Sequence, residues 1–249
     1  MLLDLLQLSA AQIVFTIIII FLAYTVKGLS GFGSGLIAVP LLAFLFPLAY
    51  IVPVLGLLSY SGTIMQSYQL RKQVIWKDII PVLPFSVIGI MVATWMLVNV
   101  DARLLVMLLA IFIFIYSIYA MLPMTEYACG RRWAIAAGSL GGLVGALFGT
   151  GGPFYVVYLK LRQLDKNAFR ASIVMIFLVD GGVRIIAYAL SGLYTEQVLW
   201  LVAVLLPVLF VGMYVGHHIH IKIDQKRFNQ IINILLMMSS LALLYKSIS

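Results

Sequence analysis

Gly28-Leu29-Ser30-Gly31-Phe32-Gly33-Ser34-Gly35 and, about 118 residues later, Gly145-Ala146-Leu147-Phe148-Gly149-Thr150-Gly151-Gly152-Pro153 each interrupt an otherwise apolar stretch. In hydrocarbon every backbone N–H and C=O needs a partner, so a helix opens at membrane depth only where protein or a water-filled cavity surrounds the opening. Two such breaks at matching places in two halves of a chain are the sequence pointer to a secondary-transporter binding site.

Composition supports the membrane setting: of 249 residues, 64% are hydrophobic and 10% charged, with mean hydropathy +1.14. A soluble domain carries roughly 25% charge. No stretch is polar enough for a separate soluble domain, so residues 1–249 read as one integral-membrane domain. The +8 formal charge falls in short clusters between apolar runs rather than along one face, which argues against nucleic acid. Cys129 is the single cysteine, excluding an internal disulfide and any multi-cysteine metal site. Residues 1–8 lack the positive region of a cleavable signal peptide, so the first apolar run is expected to be retained.

Outward from the breaks, apolar segments run over 10–26, 36–46, 51–68, 79–98, 104–122, 133–148, 154–161, 169–190, 198–215 and 228–244. A span needs about 20 residues. The segments directly after the breaks, 36–46 and 154–161, are too short and read as return arms of hairpins that enter the bilayer and turn back.

Four regions hold twelve of the sixteen basic residues: Arg71, Lys72 and Lys77; Arg131 and Arg132; Lys160, Arg162, Lys166 and Arg170; Lys222, Lys226 and Arg227. The positive-inside rule makes these regions cytoplasmic and places the N-terminus outside. The second hairpin then starts and ends inside, and the first starts and ends outside. Each half becomes a glycine-broken hairpin plus three transmembrane helices, in opposite orientation. The expected fold is therefore an all-α polytopic membrane protein with an inverted repeat, repeat one about 9–122 and repeat two about 131–246. Aligning Gly31 to Gly35 with Gly149 to Pro153 brings Pro84, Gly89 and Asp101 onto Pro207, Gly212 and Asp224 after about five extra residues.

The segments GLSGFGSGLIAVPLLAF and GLVGALFGTGGPFYVVYL, with the basic loop before Ala171 and Ser172, resemble the two signature regions of TauE/SafE-type membrane permeases. Within that pattern Gly152-Pro153 replaces part of a third glycine, and Tyr158 stands opposite Pro40. The resemblance covers nearly the whole chain. It implies a secondary carrier that exports sulfite or a small organosulfonate such as sulfoacetate across the inner membrane.

An oxyanion site can be argued without the resemblance. Freed N–H groups at a glycine turn and the partial positive charge of the following helix N-terminus suit an anion. Gly31, Gly33, Ser34 and Gly35 would open one arm, Gly149, Thr150, Gly151 and Gly152 the other, presenting two helix N-termini to one substrate. Ser30 adds a hydroxyl. The alternative use of these glycines is tight helix packing.

Arg184 lies within 169–190, where an unpaired cation costs about 3 kcal/mol on insertion scales. Asp180 is one turn earlier on the same face, so an Asp180–Arg184 ion pair is expected. It could release Arg184 to an anion or Asp180 to a proton, or simply hold helices in register. The repeat offset puts Gly62 and Gln66 at the equivalent positions, and Gln66 is a further candidate. Lys27 could attract an anion or snorkel to the surface. Ser59, Ser61, Thr63 and Gln66 could line a pathway or bond between helices.

His217, His218 and His220 lack an acidic or cysteine set apart from Asp224, so no metal is expected, and no cofactor. The chain lacks a Walker-type motif and an intramembrane acidic pair, which argues against direct ATP drive and proteolysis. Ion gradients remain, with a proton as the expected coupling ion. The expected partners are a small anion and the lipid bilayer, and a homodimer is compatible with this reading without being required by it. The alternatives are an uptake permease for a sulfur-containing anion such as thiosulfate, a passive anion channel, and a non-catalytic assembly subunit.

Overall fold

The computed structural model describes residues 9–30, 33–121, 130–218 and 225–248. These form eleven α-helices and no strand. They are α1 (Ala10–Ser30), α2 (Ser34–Leu42), α3 (Leu48–Leu70), α4 (Trp76–Ile79), α5 (Leu83–Asn99), α6 (Ala102–Met121), α7 (Trp133–Phe148), α8 (Gly152–Leu161), α9 (Lys166–Leu190), α10 (Glu196–His218) and α11 (Gln225–Ile248), with a 3-10 turn at Arg71–Gln73. Among the described residues five helices, α1, α3, α6, α9 and α10, are long and apolar enough to cross a membrane. Large side chains such as Trp95, Leu190 and Tyr245 stay more than 60% exposed. A water-soluble protein would bury most of them, and hydrocarbon is the solvent that suits them.

Local chemistry sets most boundaries. Asp165 caps α9, its carboxylate accepting the N–H groups of Asn167 and Ala168 at 2.9 and 3.0 Å. Gly149, in the left-handed region at φ 65°, closes α7 by donating its N–H to Gly145 O at 2.9 Å. The apolar run 79–98 is not one helix: it breaks after Ile79 and restarts at Leu83. Pro81 cannot donate to a continuing helix, whereas Pro84 sits in the first turn of α5, where its missing N–H is harmless.

The chain divides into two compact units. The first comprises residues Met1–Ile51, Val100–Met124 and Glu196–Ser249. In it α1 packs on α10 and on its return arm α2, while α11 packs on α6 and α2. A Cβ on Gly28 would stand 2.6 Å from Met213 O, and one on Gly216 would stand 2.2 Å from Thr25 O, so α1 and α10 touch backbone to backbone. The first break is narrower than expected, because α1 continues through Gly28 to Ser30 and Gly28 serves packing. Lys246 Nζ donates to the carbonyls of Ala43 and Phe44 at 3.4 and 3.1 Å, capping the end of the first return arm.

The second unit comprises Val52–Asn99 and Thr125–Thr195. Here α7 packs on α5 and on its return arm α8, and α9 packs on α5, α8, α4 and the 3-10 turn. Cβ atoms on Gly89 and Gly142 would stand 2.3 Å from Ser139 O and 2.2 Å from Ser86 O, another backbone-to-backbone seam. The two seams match in register. Gly89 faces Ser139 O and Leu143 N, and Gly212 faces Phe21 O and Thr25 N, so both partner pairs differ by the spacing of the two glycine breaks.

Both feet of the second hairpin share a face. Arg131 before α7 and Arg162 after α8 reach the same carboxylate oxygen, Asp78 Oδ1, at 3.4 and 2.9 Å. Tyr158 donates its hydroxyl to Asp78 O at 3.1 Å. At 1.5 Å per residue α7 rises about 24 Å, against a hydrocarbon layer of about 30 Å.

Candidate substrate site at the tip of the second hairpin

The tip is built from Gly149, Thr150 and Gly151, and only glycine fits its close approach. A Cβ on Gly151 would stand 2.2 Å from Gly141 O and 3.0 Å from Gly145 Cα, so the start of α8 lies flush on α7. Gly152 and Pro153 then open α8, whose ten residues give a helix N-terminus with free N–H groups beside Thr150. Thr150 is 3% exposed, and among the described residues its Oγ1 has no partner.

Arg184 comes to this tip from α9. Its Nη1 donates to Gly145 O at 2.5 Å, and Tyr188, one turn on, donates its hydroxyl to Ala146 O. The guanidinium thus meets the negative end of α7. Its Nε is buried and unpartnered among the described residues. The Tyr194 ring lies edge-on to Tyr188 at 6.2 Å, with a buried, unpartnered hydroxyl. Tyr194 lies in the turn after α9. Burial pushes its pKa up to about 12 against a smaller opposing effect of Arg184, so it remains a proton donor at physiological pH.

The expected Asp180–Arg184 ion pair is absent among the described residues. Asp180, 5% exposed, accepts the Tyr155 hydroxyl at 2.5 Å on Oδ2, while Arg184 turns to Gly145. Four-residue spacing places both side chains on one helix face, but the hairpin packed against that face offers each a different partner. The Oδ1 of Asp180 remains without a partner among the described residues. Ser86 of α5 faces the same carboxyl.

The other sequence candidates are placed as follows. Gly149, Thr150, Gly151, Gly152 and Arg184 come together at the second tip. Gly33, at φ 94°, is the left-handed residue before α2, and Ser34 and Gly35 are buried in its first turn. Gly31 lies outside the described residues, as do His220 and Asp224. Lys27 is 5% exposed, with its ammonium 5.6 Å from the centre of the Tyr24 ring, so it does not snorkel out of the protein. Gln66 is half-buried on α3, and among the described residues no hydrogen bond links it to Arg184. Ser61 and Thr63 bond back to carbonyls of their own helix, at 3.0 and 2.8 Å, rather than to other helices. His218 stacks on Tyr214, and among the described residues no group of three or more metal-ligating side chains occurs.

Sequence reasoning missed Tyr155, Tyr188, Tyr194 and the Asp78 cluster. The structure shows what admits Tyr155: a Cβ on Gly141, fourteen residues earlier, would stand 2.4 Å from its ring. A cavity of about 430 Å³ between α5 and α9, lined by Met91, Trp95, Val98, Ile186 and Leu190, is apolar and lacks a charged side chain. It does not suit an anion.

The family model for the sulfite exporter TauE/SafE matches residues 16–243. The chain is 28% identical over 180 residues to the Probable inner membrane transporter protein TsaS of Comamonas testosteroni, covering 69% of this chain and 73% of that protein. It is 25% identical over 195 residues to the Probable sulfite/organosulfonate exporter TauE of Cupriavidus necator, covering 75% and 76%. No solved structure matches it. A polytopic all-helical chain, with two glycine-broken hairpins and a family match across nearly its full length, belongs to the sulfite exporter TauE/SafE family of membrane transporters.

Proposed function

We propose that this protein is a secondary carrier of the inner membrane that exports a small sulfur oxyanion, sulfite or an organosulfonate, with Arg184 and the Thr150 turn as its principal anion-binding groups. One observation carries the reading: Arg184 Nε and Thr150 Oγ1 are buried polar groups left unpaired at the tip of a re-entrant hairpin, beside the N-terminus of α8. Leaving such groups unpaired costs about 1–3 kcal/mol each, which a bound oxyanion would recover. Tyr194 adds a third donor at the same end of α9. Lys27, Gly33, Ser34 and Gly35 are the corresponding candidates at the first break. Asp180 is the candidate for proton coupling.

The two glycine seams of matching register support two inverted repeats within a single domain. The shared face of Arg131 and Arg162 supports a hairpin that enters and leaves on one side. With basic loops cytoplasmic and the N-terminus outside, that side is the cytoplasm.

The test is a thermal-shift panel of sulfite, alkanesulfonates, thiosulfate and carboxylates on purified protein, followed by flux in proteoliposomes. Wild type is expected to be stabilised by sulfur oxyanions. Arg184→Ala is expected to lose that stabilisation and all substrate-dependent flux while keeping its melting profile. Normal flux in a folded Arg184→Ala variant would sink the site. Flux that never exceeds the imposed electrochemical gradient would favour a channel, and stabilisation by carboxylates alone would remove the sulfur reading.

A further inference from the structure

Tyr155 and Asp180 form a buried pair that anion binding at Arg184 and Thr150 does not use. Tyr155 stands on the return arm α8, and its ring is admitted by the missing side chain of Gly141, where a Cβ would lie 2.4 Å from Cε1. Its hydroxyl donates to Asp180 Oδ2 on α9 at 2.5 Å. The link therefore ties the return arm of the second hairpin to the long apolar helix α9. Ionised, a carboxylate offers about four acceptor sites, and here Oδ1 has no partner among the described residues.

The groups facing this carboxyl are few. Tyr155 faces it from α8, Ser86 from α5 and Arg184 from its own helix. The Tyr60 ring packs on Gly181 and Gly182, next along α9. The other elements packed on α9, namely α4 and the 3-10 turn, bring Lys77, Asp78, Arg71 and Lys72 to its opposite end, where Ile75 N donates to Ser172 Oγ at 3.2 Å.

We propose that Asp180 Oδ1 takes up the coupling proton and that Tyr155 is the positioning residue that transmits this protonation to the second hairpin. The proposal rests on the carrier reading above. In the ionised state the Tyr155 bond is charge-assisted, and protonation on Oδ1 leaves Oδ2 a neutral acceptor of roughly half the strength. The proton weakens the tie between α8 and α9 and releases the hairpin. An anion on Arg184 removes the positive field nearest Asp180 and so favours the proton, and by linkage the proton favours the anion.

The test uses full-length protein in proteoliposomes, potential clamped at zero, with methanesulfonate as the probe because its charge is constant over the pH range used. A one-unit pH gradient, acid outside, is expected to drive about tenfold accumulation inside the vesicles by wild type if one proton moves with each anion. Export against such a gradient is then driven by the anion's own outward gradient. Asp180→Asn and Tyr155→Phe are each expected to collapse that ratio to one, while exchange persists and loses its pH dependence. Gly141→Ala, which displaces the ring and leaves the hydroxyl intact, is expected to behave like Tyr155→Phe. If Asp180→Asn uncouples and both Tyr155→Phe and Gly141→Ala accumulate normally, the role of Tyr155 is overturned and the carrier reading stands. Continued accumulation by Asp180→Asn overturns the proton site. Absence of methanesulfonate exchange in wild type, combined with no stabilisation by sulfur oxyanions, would instead count against the carrier reading itself.

Discussion

The two hairpins share a skeleton and differ in their polar equipment. Each has a long arm, a glycine turn, a short return helix and a partner helix pressed against it through glycines. The second hairpin adds Arg184 on Gly145, Tyr155 on Asp180, and two arginines on Asp78 at its feet. The first is secured at its return end by a lysine on two carbonyls. Helix packing through glycines is thus found at both hairpins, while the buried polar contacts of the second differ from those at the return end of the first.

The largest effect should come from filling the seams. Gly142→Leu and Gly216→Leu each drive a side chain into backbone about 2 Å away, and both proteins are expected to fail to accumulate in folded form, as monitored by size-exclusion chromatography in detergent. The milder pair sharpens the comparison. Gly89→Ala meets Ser139 O at 2.3 Å and Gly212→Ala meets Phe21 O at 2.9 Å, so the first should lower the melting temperature more. Equal losses would mean the two seams are equally tight.

Next come the feet. Asp78→Asn leaves two guanidiniums facing a neutral side chain. Because Arg131 is 54% and Arg162 23% exposed at the side chain, solvent offsets part of the loss. The expected destabilisation is about 1–3 kcal/mol, below the range for a fully buried pair. Lys246→Met removes an exposed cap and should cost about 0.3–1 kcal/mol. Denaturant titration of each variant measures the difference, and a larger loss at Lys246 would reverse the assignment of the better-secured hairpin.

The turns are expected to fall between Asp78 and Lys246 in the size of their effect. Gly149→Ala and Gly33→Ala place a side chain at φ 65° and φ 94°, at a cost of about 1–2 kcal/mol in each case. Among the described residues nothing lies within 4 Å of a Cβ at Gly33, so backbone strain alone sets its penalty. Thermal melts of the two variants should therefore shift by similar amounts.

The hairpins were legible because clustered glycines and short return segments are local properties of the chain. The break positions were less so. Gly28 and Gly145 look like loop residues in the letters but end as helix residues, because a glycine in a membrane helix serves contact as readily as turning. Arg184 and Asp180 were visible as costly intramembrane charges, yet helical spacing describes only their own helix and could not foresee Gly145 and Tyr155 as their separate partners. Asp78 was hidden for the same reason: its arginines lie 53 and 84 residues away.

The glycine seams also bear on how the chain is made. α7 is complete at residue 148, soon after its partner α5 at residue 99, so at ~5–20 residues per second α5 waits about 2–10 s for its seam with the second hairpin to close. α1 ends at residue 30 and its partner α10 at residue 218, a wait of about 10–40 s during translation. Through that interval the small-residue face of α1, with Gly28 at its end, is open to other helices or to a membrane chaperone. The α1–α10 seam therefore closes later in synthesis than the α5–α7 seam.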